Sequence, residues 1–404
     1  MARFSTLLAL CTVAAAVSAS PVVVRDSTIS LPIARRFKST GAASILEQDR
    51  ARAQMLKNVG HAKGAGSKRA DVLVSNADTC YTAEVDVGSP ATTYTLLVDT
   101  GSSNTFIGAN KAYNATSTSQ DTGNTVSVSY GSGQFSGEQY IDTVTLGSLT
   151  IPNQGISVAS SSSGFPGVDG ILGVGPTGLT GGTVSDGQTV PTVLDNAYSQ
   201  GLINDDVIGI AFTPASATSA SGALNFGGVD SSRYTGDLNY VPITSTSPAS
   251  NYVGIDQSIA YGSGTTILST TAGITDTGTT LLLIATDGFD AYKTATGAEV
   301  DSTTGLLKIS NSQYENLQSL FFTIGGTTYE FTANAQIWPR SLNSALGGDS
   351  GSIYLVVSDL GSNSGQGLDF INGYSWLQRF YHVYDVANSQ VGLATTQYTT
   401  ATTN

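Results

Sequence analysis

Apolar residues in this chain come in short blocks separated by Gly, Ser and Thr, the pattern of many brief strands rather than long helices. Tyr94-Thr95-Leu96-Leu97-Val98 runs straight into Asp99, and Leu281-Leu282-Leu283-Ile284-Ala285 follows shortly after Asp276. Each block predicts a strand with buried neighbours and a carboxylate at its edge. Val126 to Phe135 alternates apolar and polar, breaks at Gly131-Ser132-Gly133 and resumes, which predicts a β-hairpin. Near the N-terminus, Arg3 precedes an apolar stretch from Leu7 to Val17 that ends in Val17-Ser18-Ala19-Ser20. This predicts a cleaved secretory signal over residues 1–20, being shorter than the ~20 residues needed to span a bilayer. No later segment is apolar enough to span, and residues 399–404 lack the apolar tail of a lipid-anchor signal, so a secreted, extracellular product without a membrane partner is expected.

At 404 residues the chain exceeds what one hydrophobic core serves, so two compact units are expected beyond the processing segments. Charge marks the segments. Residues 21–69 hold ten Lys or Arg against three acids, a net of +7, whereas residue 70 onward holds six against 27, a net of −21. The acidic part repels nucleic acid at neutral pH and loses self-repulsion in acid, so acid operation fits it. The basic block complements the acidic part in sign, closes on the dibasic pair Lys68-Arg69, and reads as an inhibitory prosegment removed at that point. The expected division is a signal at 1–20, a basic prosegment at 21–69, an N-terminal β lobe at 70–245 and a C-terminal β lobe at 246–404.

The sparse reactive residues exclude several chemistries. Only His61 and His382 occur, and His61 lies in the segment expected to be removed. A Ser-His-Asp hydrolase would need His382 as its base, and no Gly-x-Ser-x-Gly elbow is present. Neither His-x-x-x-His nor Cys-x-x-Cys occurs, so no metal and no cofactor are expected. Cys11 leaves with the signal, and Cys80 then has no intramolecular partner. Asn114-Ala115-Thr116 is a candidate glycosylation site at Asn114.

Carboxylates remain. Asp-Thr-Gly occurs three times, at Asp99-Thr100-Gly101, Asp121-Thr122-Gly123 and Asp276-Thr277-Gly278. The middle copy lies in a polar stretch and reads as a turn. The outer two, each beside an apolar strand, supply what amide hydrolysis needs if they meet: one carboxylate takes a proton from water and the other donates one to the substrate. Gly101 and Gly278 let backbone amides approach the carboxylates, while Thr100, Ser102, Thr277 and Thr279 offer hydroxyls to their oxygens.

On these residues the chain resembles the pepsin-like aspartic endopeptidases, of the fungal, lightly crosslinked kind. The resemblance covers nearly all of residues 70–398. It includes Asp169-Gly170-Ile171-Leu172-Gly173, Leu224-Asn225-Phe226-Gly227-Gly228-Val229-Asp230, and the final Phe380 to Asp385 and Val391 to Ala394. It implies a mostly β, two-lobed fold with a β-hairpin flap over a central cleft, and Asp99 and Asp276 as a catalytic dyad sharing one proton. It implies a zymogen-derived monomer that hydrolyses proteins or peptides in acid. Substrate contacts are implied for Tyr130, Gly131 and Ser132 of the flap and for Gly101, Gly278, Thr279 and Thr280. Two departures stand out. Phe106 replaces the usual Trp, so no indole can donate to Tyr130, and Asn372 places an amide where an apolar residue is usual, which requires a buried partner. A non-catalytic binder on the same fold and a two-carboxylate glycosidase are the competing readings.

Overall fold

The computed structural model describes residues 28–37, 45–62, 79–130, 133–214 and 221–404. Strand β1 (Ile29–Phe37) turns Leu31 and Ile33 inward and leaves Ser30 and Pro32 exposed, the period-two pattern of a half-buried strand. Helix α1 (Ile45–Ala62) follows. It is the longest helix among the described residues, formed where Ala, Leu, Arg and Gln dominate. Its buried stripe comprises Ile45, Asp49, Arg52, Ala53 and Leu56, spaced for one helical face. Two members of that stripe are charged, so the face they meet must be polar.

The chain continues through β2 (Thr79–Val87), β3 (Thr92–Asp99), β4 (Thr105–Ile107), β5 (Gln120–Tyr130), β6 (Gly133–Leu146), β7 (Leu149–Ser163) and β8 (Gly170–Gly173). Next come β9 (Val207–Ala211), β10 (Ser221–Phe226), β11 (Thr235–Pro242), β12 (Gly254–Tyr261), β13 (Thr265–Thr275) and β14 (Leu282–Ile284). The remaining strands are β15 (Glu299–Val300), β16 (Leu307–Ile309), β17 (Leu320–Ile324), β18 (Thr327–Phe331), β19 (Ile353–Tyr354), β20 (Val357–Asp359), β21 (Phe370–Asn372), β22 (Phe380–Asp385) and β23 (Gln390–Thr395). The largest sheet runs β11-β23-β22-β9-β10-β1-β2-β3-β8-β4-β7-β6-β5, and a second runs β18-β17-β12-β13-β21-β14-β20. Strands from both ends of the sequence thus share one sheet, with β1 near its middle, hydrogen-bonded to β10 on one side and β2 on the other.

The two halves place their carboxylates in the same way. β3 lies parallel to β8 with Asp99 opposite Gly173, and β13 lies parallel to β21 with Thr275 opposite Asn372. The β5–β6 hairpin is present, pairing Tyr130 with Gly133, while its tip residues Gly131 and Ser132 fall outside the described residues. The middle Asp-Thr-Gly is not a turn between elements, as its polar flanks suggest, but an irregularity inside β5. The register shifts between Asp121 and Thr125, Gly123 takes φ 74°, and its amide donates to Asp121 Oδ1 at 2.8 Å. That carboxylate is exposed and serves its own backbone.

Asn372 has its partner. Its amide donates to Gln257 Oε1 at 2.8 Å and accepts from Gln257 Nε2 at 3.1 Å, both side chains fully buried. Removing one member strands the other's donor and acceptor, so Asn372→Leu and Gln257→Leu are each expected to destabilise by about 2–3 kcal/mol. The double variant is expected within about 1 kcal/mol of the parent, and a urea-melt double-mutant cycle checks the coupling. Additive losses would deny that the pair acts as a unit.

Candidate active site

β3 ends at Asp99, and the turn beyond it folds back on the carboxylate. Gly101 N donates to Asp99 Oδ1 at 2.9 Å and Ser102 Oγ to Oδ2 at 2.5 Å. The second turn repeats this, with Gly278 N to Asp276 Oδ1 at 3.0 Å and Thr279 Oγ1 to Oδ2 at 2.5 Å. The threonines between them interlock. Thr100 N donates to Thr277 Oγ1 at 2.9 Å and Thr277 N to Thr100 Oγ1 at 3.0 Å. Each hydroxyl then donates onward to the other half's backbone, Thr277 to Val98 O at 3.0 Å and Thr100 to Thr275 O at 3.3 Å. Eight bonds with matching roles therefore clamp two carboxylates 177 residues apart in sequence into one buried site. The two glycines are sterically required: a β-carbon at Gly101 would meet Asp276 Oδ1 at 2.7 Å, and one at Gly278 would meet Asp99 Oδ1 at 2.6 Å.

A third charge occupies the site. Arg52 of α1 places Nη2 at 2.6 Å from Asp99 Oδ1 and 3.0 Å from Asp276 Oδ1, with Nε at 2.7 Å from Asp276 Oδ2. One turn earlier, buried Asp49 accepts from Thr280 N at 3.1 Å and Leu281 N at 2.7 Å. Tyr252 Oη donates to Leu56 O at 2.7 Å, and Arg50 pairs with Asp359 at 2.7 Å. Thr280, expected to contact substrate, is thus covered by Asp49. Charge alone does not single out Arg52 among the ten Lys and Arg of residues 21–69. The signal was the 45-49-52-56 spacing, a helical stripe with charges on its inner face.

Burial raises the Asp99 carboxyl, opposed by Arg52 and reinforced by Asp276. At Asp276 burial also raises, but the charge and hydrogen bonds of Arg52, with those of Thr279 and Gly278, outweigh it and hold the carboxyl below its usual range. Burial pushes the Asp49 carboxyl up to about 7 despite its two amide donors. The same charges hold the Arg52 guanidinium protonated.

Tyr130 is buried beside Phe106, ring centroids 6.0 Å apart and stacked, and its hydroxyl makes no hydrogen bond to the described residues. Phe106 stacks on Phe135 at 4.1 Å and meets Phe165 edge-on at 4.9 Å, closing an apolar cluster with Leu97 under the hairpin. Phe135 also lies in this cluster, whereas Ile284, in β14 after the second motif, belongs to the main core. Asn114 is exposed in the loop after β4. Lys68, Arg69, the residue 1–20 signal and the Cys80 side chain lie outside the described residues.

His382 sits one layer beneath. Its Nε2 lies 2.8 Å from Thr275 Oγ1, which also donates to Val253 O at 3.2 Å, so the imidazole is placed to donate. Burial lowers its pKa to about 3. An unfolded chain takes up that proton below the ordinary histidine value of 6.5, whereas the folded one does so only near 3, so stability falls as pH drops through that window. The loss approaches roughly 4 kcal/mol at pH 3. His382→Gln is expected to lessen the drop in urea midpoint between pH 7 and pH 3.5, measured in an Asp99→Asn background that cannot digest itself. An undiminished drop would move the acid lability elsewhere.

Comparison with known proteins agrees with this geometry. A family model described as eukaryotic aspartyl protease matches residues 80–396. Polyporopepsin of Irpex lacteus is 64% identical over 336 residues, covering 82% of this chain and 99% of its own length. Pepsin A of Rhinolophus ferrumequinum is 31% identical over 282 residues, 69% of this chain and 68% of its own. The crystal structure of an aspartic proteinase from Irpex lacteus superposes with a TM-score of 0.79 at 64% identity, covering 80% of this chain and 96% of that one. The chain belongs to the pepsin-like aspartic protease family and is an aspartic-type endopeptidase with the mostly β, two-lobed fold of that family.

Proposed function

We propose that this chain is an exported precursor whose residues 21–69 plug the cleft at neutral pH, and whose release in acid frees Asp99 and Asp276 to hydrolyse proteins or peptides. The observation that carries the reading is the Arg52 guanidinium between the two carboxylates, since it fills the space a water and a scissile carbonyl need. With it gone, two carboxylates this close cannot both stay ionised and share a proton. The ionised partner takes a proton from water; the protonated one donates to the carbonyl oxygen, and the proton then passes to the leaving nitrogen. Ser102 and Thr279 hold the outer oxygens so that the inner pair faces the substrate. The fold's flap, with Tyr130, covers the bound peptide and excludes water. Residues 1–20 act as the export signal and processing falls at Lys68-Arg69. Asn114 carries a glycan, and the mature enzyme works outside the cell as a monomer.

Two titrations of opposite sign set the pH range of the plug. Arg52 lowers both dyad carboxyls, so its contribution to docking is present at higher pH and is lost as the dyad protonates in acid. Asp49 is raised by docking from 3.8 to about 7, so its contribution is full below 3.8 and lost as pH rises through 7. The precursor is therefore expected to close most tightly above the range in which the dyad protonates and below the pH of about 7 at which Asp49 ionises. Access of a statine-type inhibitor to the precursor across pH 3–9 checks both limbs, and Asp49→Asn should remove the alkaline one. Acidifying the secreted chain should shorten it near Lys68-Arg69 and release inhibitor-sensitive proteolysis. A folded, shortened chain that cleaves nothing at any pH would overturn the reading.

A further inference from the structure

The contacts of α1 mark a second feature of the cleft wall. Strand β20 pairs with β14 so that Asp359 stands opposite Ile284, which brings it to the C-terminal side of the turn holding Asp276. Asp359 Oδ1 is fixed from within by Thr286 Oγ1 at 2.6 Å and Gly361 N at 2.8 Å. Its other acceptors point to α1: Oδ2 receives Arg50 Nη2 at 2.7 Å, and its main-chain oxygen receives Arg50 Nε at 2.8 Å. A second cation follows, with Lys57 Nζ hydrogen-bonded to Ser362 Oγ and drawn by the charges of Asp359 and Asp369. Two oxygens fixed side by side match the parallel N–H pair of a guanidinium, and the bonds within the wall hold the carboxylate in place whether or not α1 is there.

We propose that, once the plug has left, Asp359 forms a subsite that takes a basic side chain of the substrate, arginine in preference to lysine. This rests on the reading that residues 21–69 depart from the cleft. In the precursor Arg50 occupies the subsite, so the segment that blocks the dyad also blocks the place where specificity is set. Arg50 and Arg52 are two positions apart on one helix, ~3 Å along its axis with side chains reaching different ways. An extended peptide advances ~3.3 Å per residue, so the subsite falls within about five residues of the scissile bond.

The test uses the acid-processed enzyme and peptides with one apolar cleavage site, in which arginine or its neutral isostere citrulline is placed in turn at five positions on either side. At pH 5 the kcat/KM ratio of arginine to citrulline is expected to reach about ten at one position. It should shrink at 0.5 M salt and fall to about one in Asp359→Asn. Because each ratio is internal to one preparation, a general loss of activity in the variant cancels. A lysine to acetyl-lysine pair at the same position should give a smaller ratio. Ratios near one everywhere in the parent, or a preference that survives Asp359→Asn, would overturn the subsite while leaving the protease reading intact. Failure to cleave any of the peptides would instead strike at the protease reading itself.

Discussion

In the processed enzyme, Asp276→Asn is expected to lower kcat on a peptide substrate by at least ~10³-fold, with KM changing little, because acid–base catalysis by a positioned group contributes ~10²–10⁴ and this group serves in two proton transfers. An asparagine keeps the bonds from Gly278 and Thr279 but neither takes a proton from water nor carries one to the carbonyl. Asp99→Asn should do the same through Gly101 and Ser102. The more telling result is the double variant. Groups that act as a unit lose almost everything at the first substitution, so Asp99→Asn with Asp276→Asn should be about as slow as either single change. Multiplying losses would assign the two carboxylates independent roles, and retention of a tenth of the parent activity by either single variant would remove that residue from the chemistry. Steady-state kinetics on protein cleaved in trans, so that no variant must process itself, gives all four values.

The second large effect concerns the plug. Arg52→Gln removes the positive charge set between two buried carboxylates, and breaking such a pair from one side costs about 3–5 kcal/mol. That is a factor of roughly 10²–10⁴ in the docking equilibrium. The Gln precursor should therefore bind a statine-type inhibitor at pH 6, where the parent stays closed, and should mature faster on acidification. Arg52→Lys is expected to fall between them. An ammonium restores the charge but meets the three oxygens as a point donor, without the fork that reaches both carboxylates at once. Calorimetric titration of each precursor with the inhibitor separates the three. A Gln precursor as closed as the parent would mean that the contacts of β1, Asp49 and Arg50 suffice, with Arg52 a passenger.

Both predictions begin in short sequence signals. An Asp-Thr-Gly at the edge of an apolar run is legible because burial of the strand fixes where its end must lie and glycine permits the turn that follows. The flap hairpin was readable from alternation and its glycine break, and the +7 block from charge alone. The expectation that Asn372 must find a buried partner followed from the cost of leaving an amide unpaired, but that the partner is Gln257, 115 residues earlier, did not. Nor did the sequence show that Asp121 lies in a bulge within β5, because polar, Gly-containing segments serve turns and bulges alike.

What the chain determined by itself is therefore local and periodic: strands, turns, the two catalytic-type motifs and a basic leader that must answer an acidic body. What only the tertiary structure decided is which distant groups meet. That Arg52 lies between Asp99 and Asp276 depends on how α1 packs against the turns that hold them. That β22 and β23 join β1, β9 and β10 in one sheet depends on pairing across the length of the chain. That Asp359 faces Arg50 depends on β20 closing against β14. Such contacts join residues dozens to hundreds of positions apart, and their energies come from burial and complementary charge in the assembled interior, where no local spacing records them.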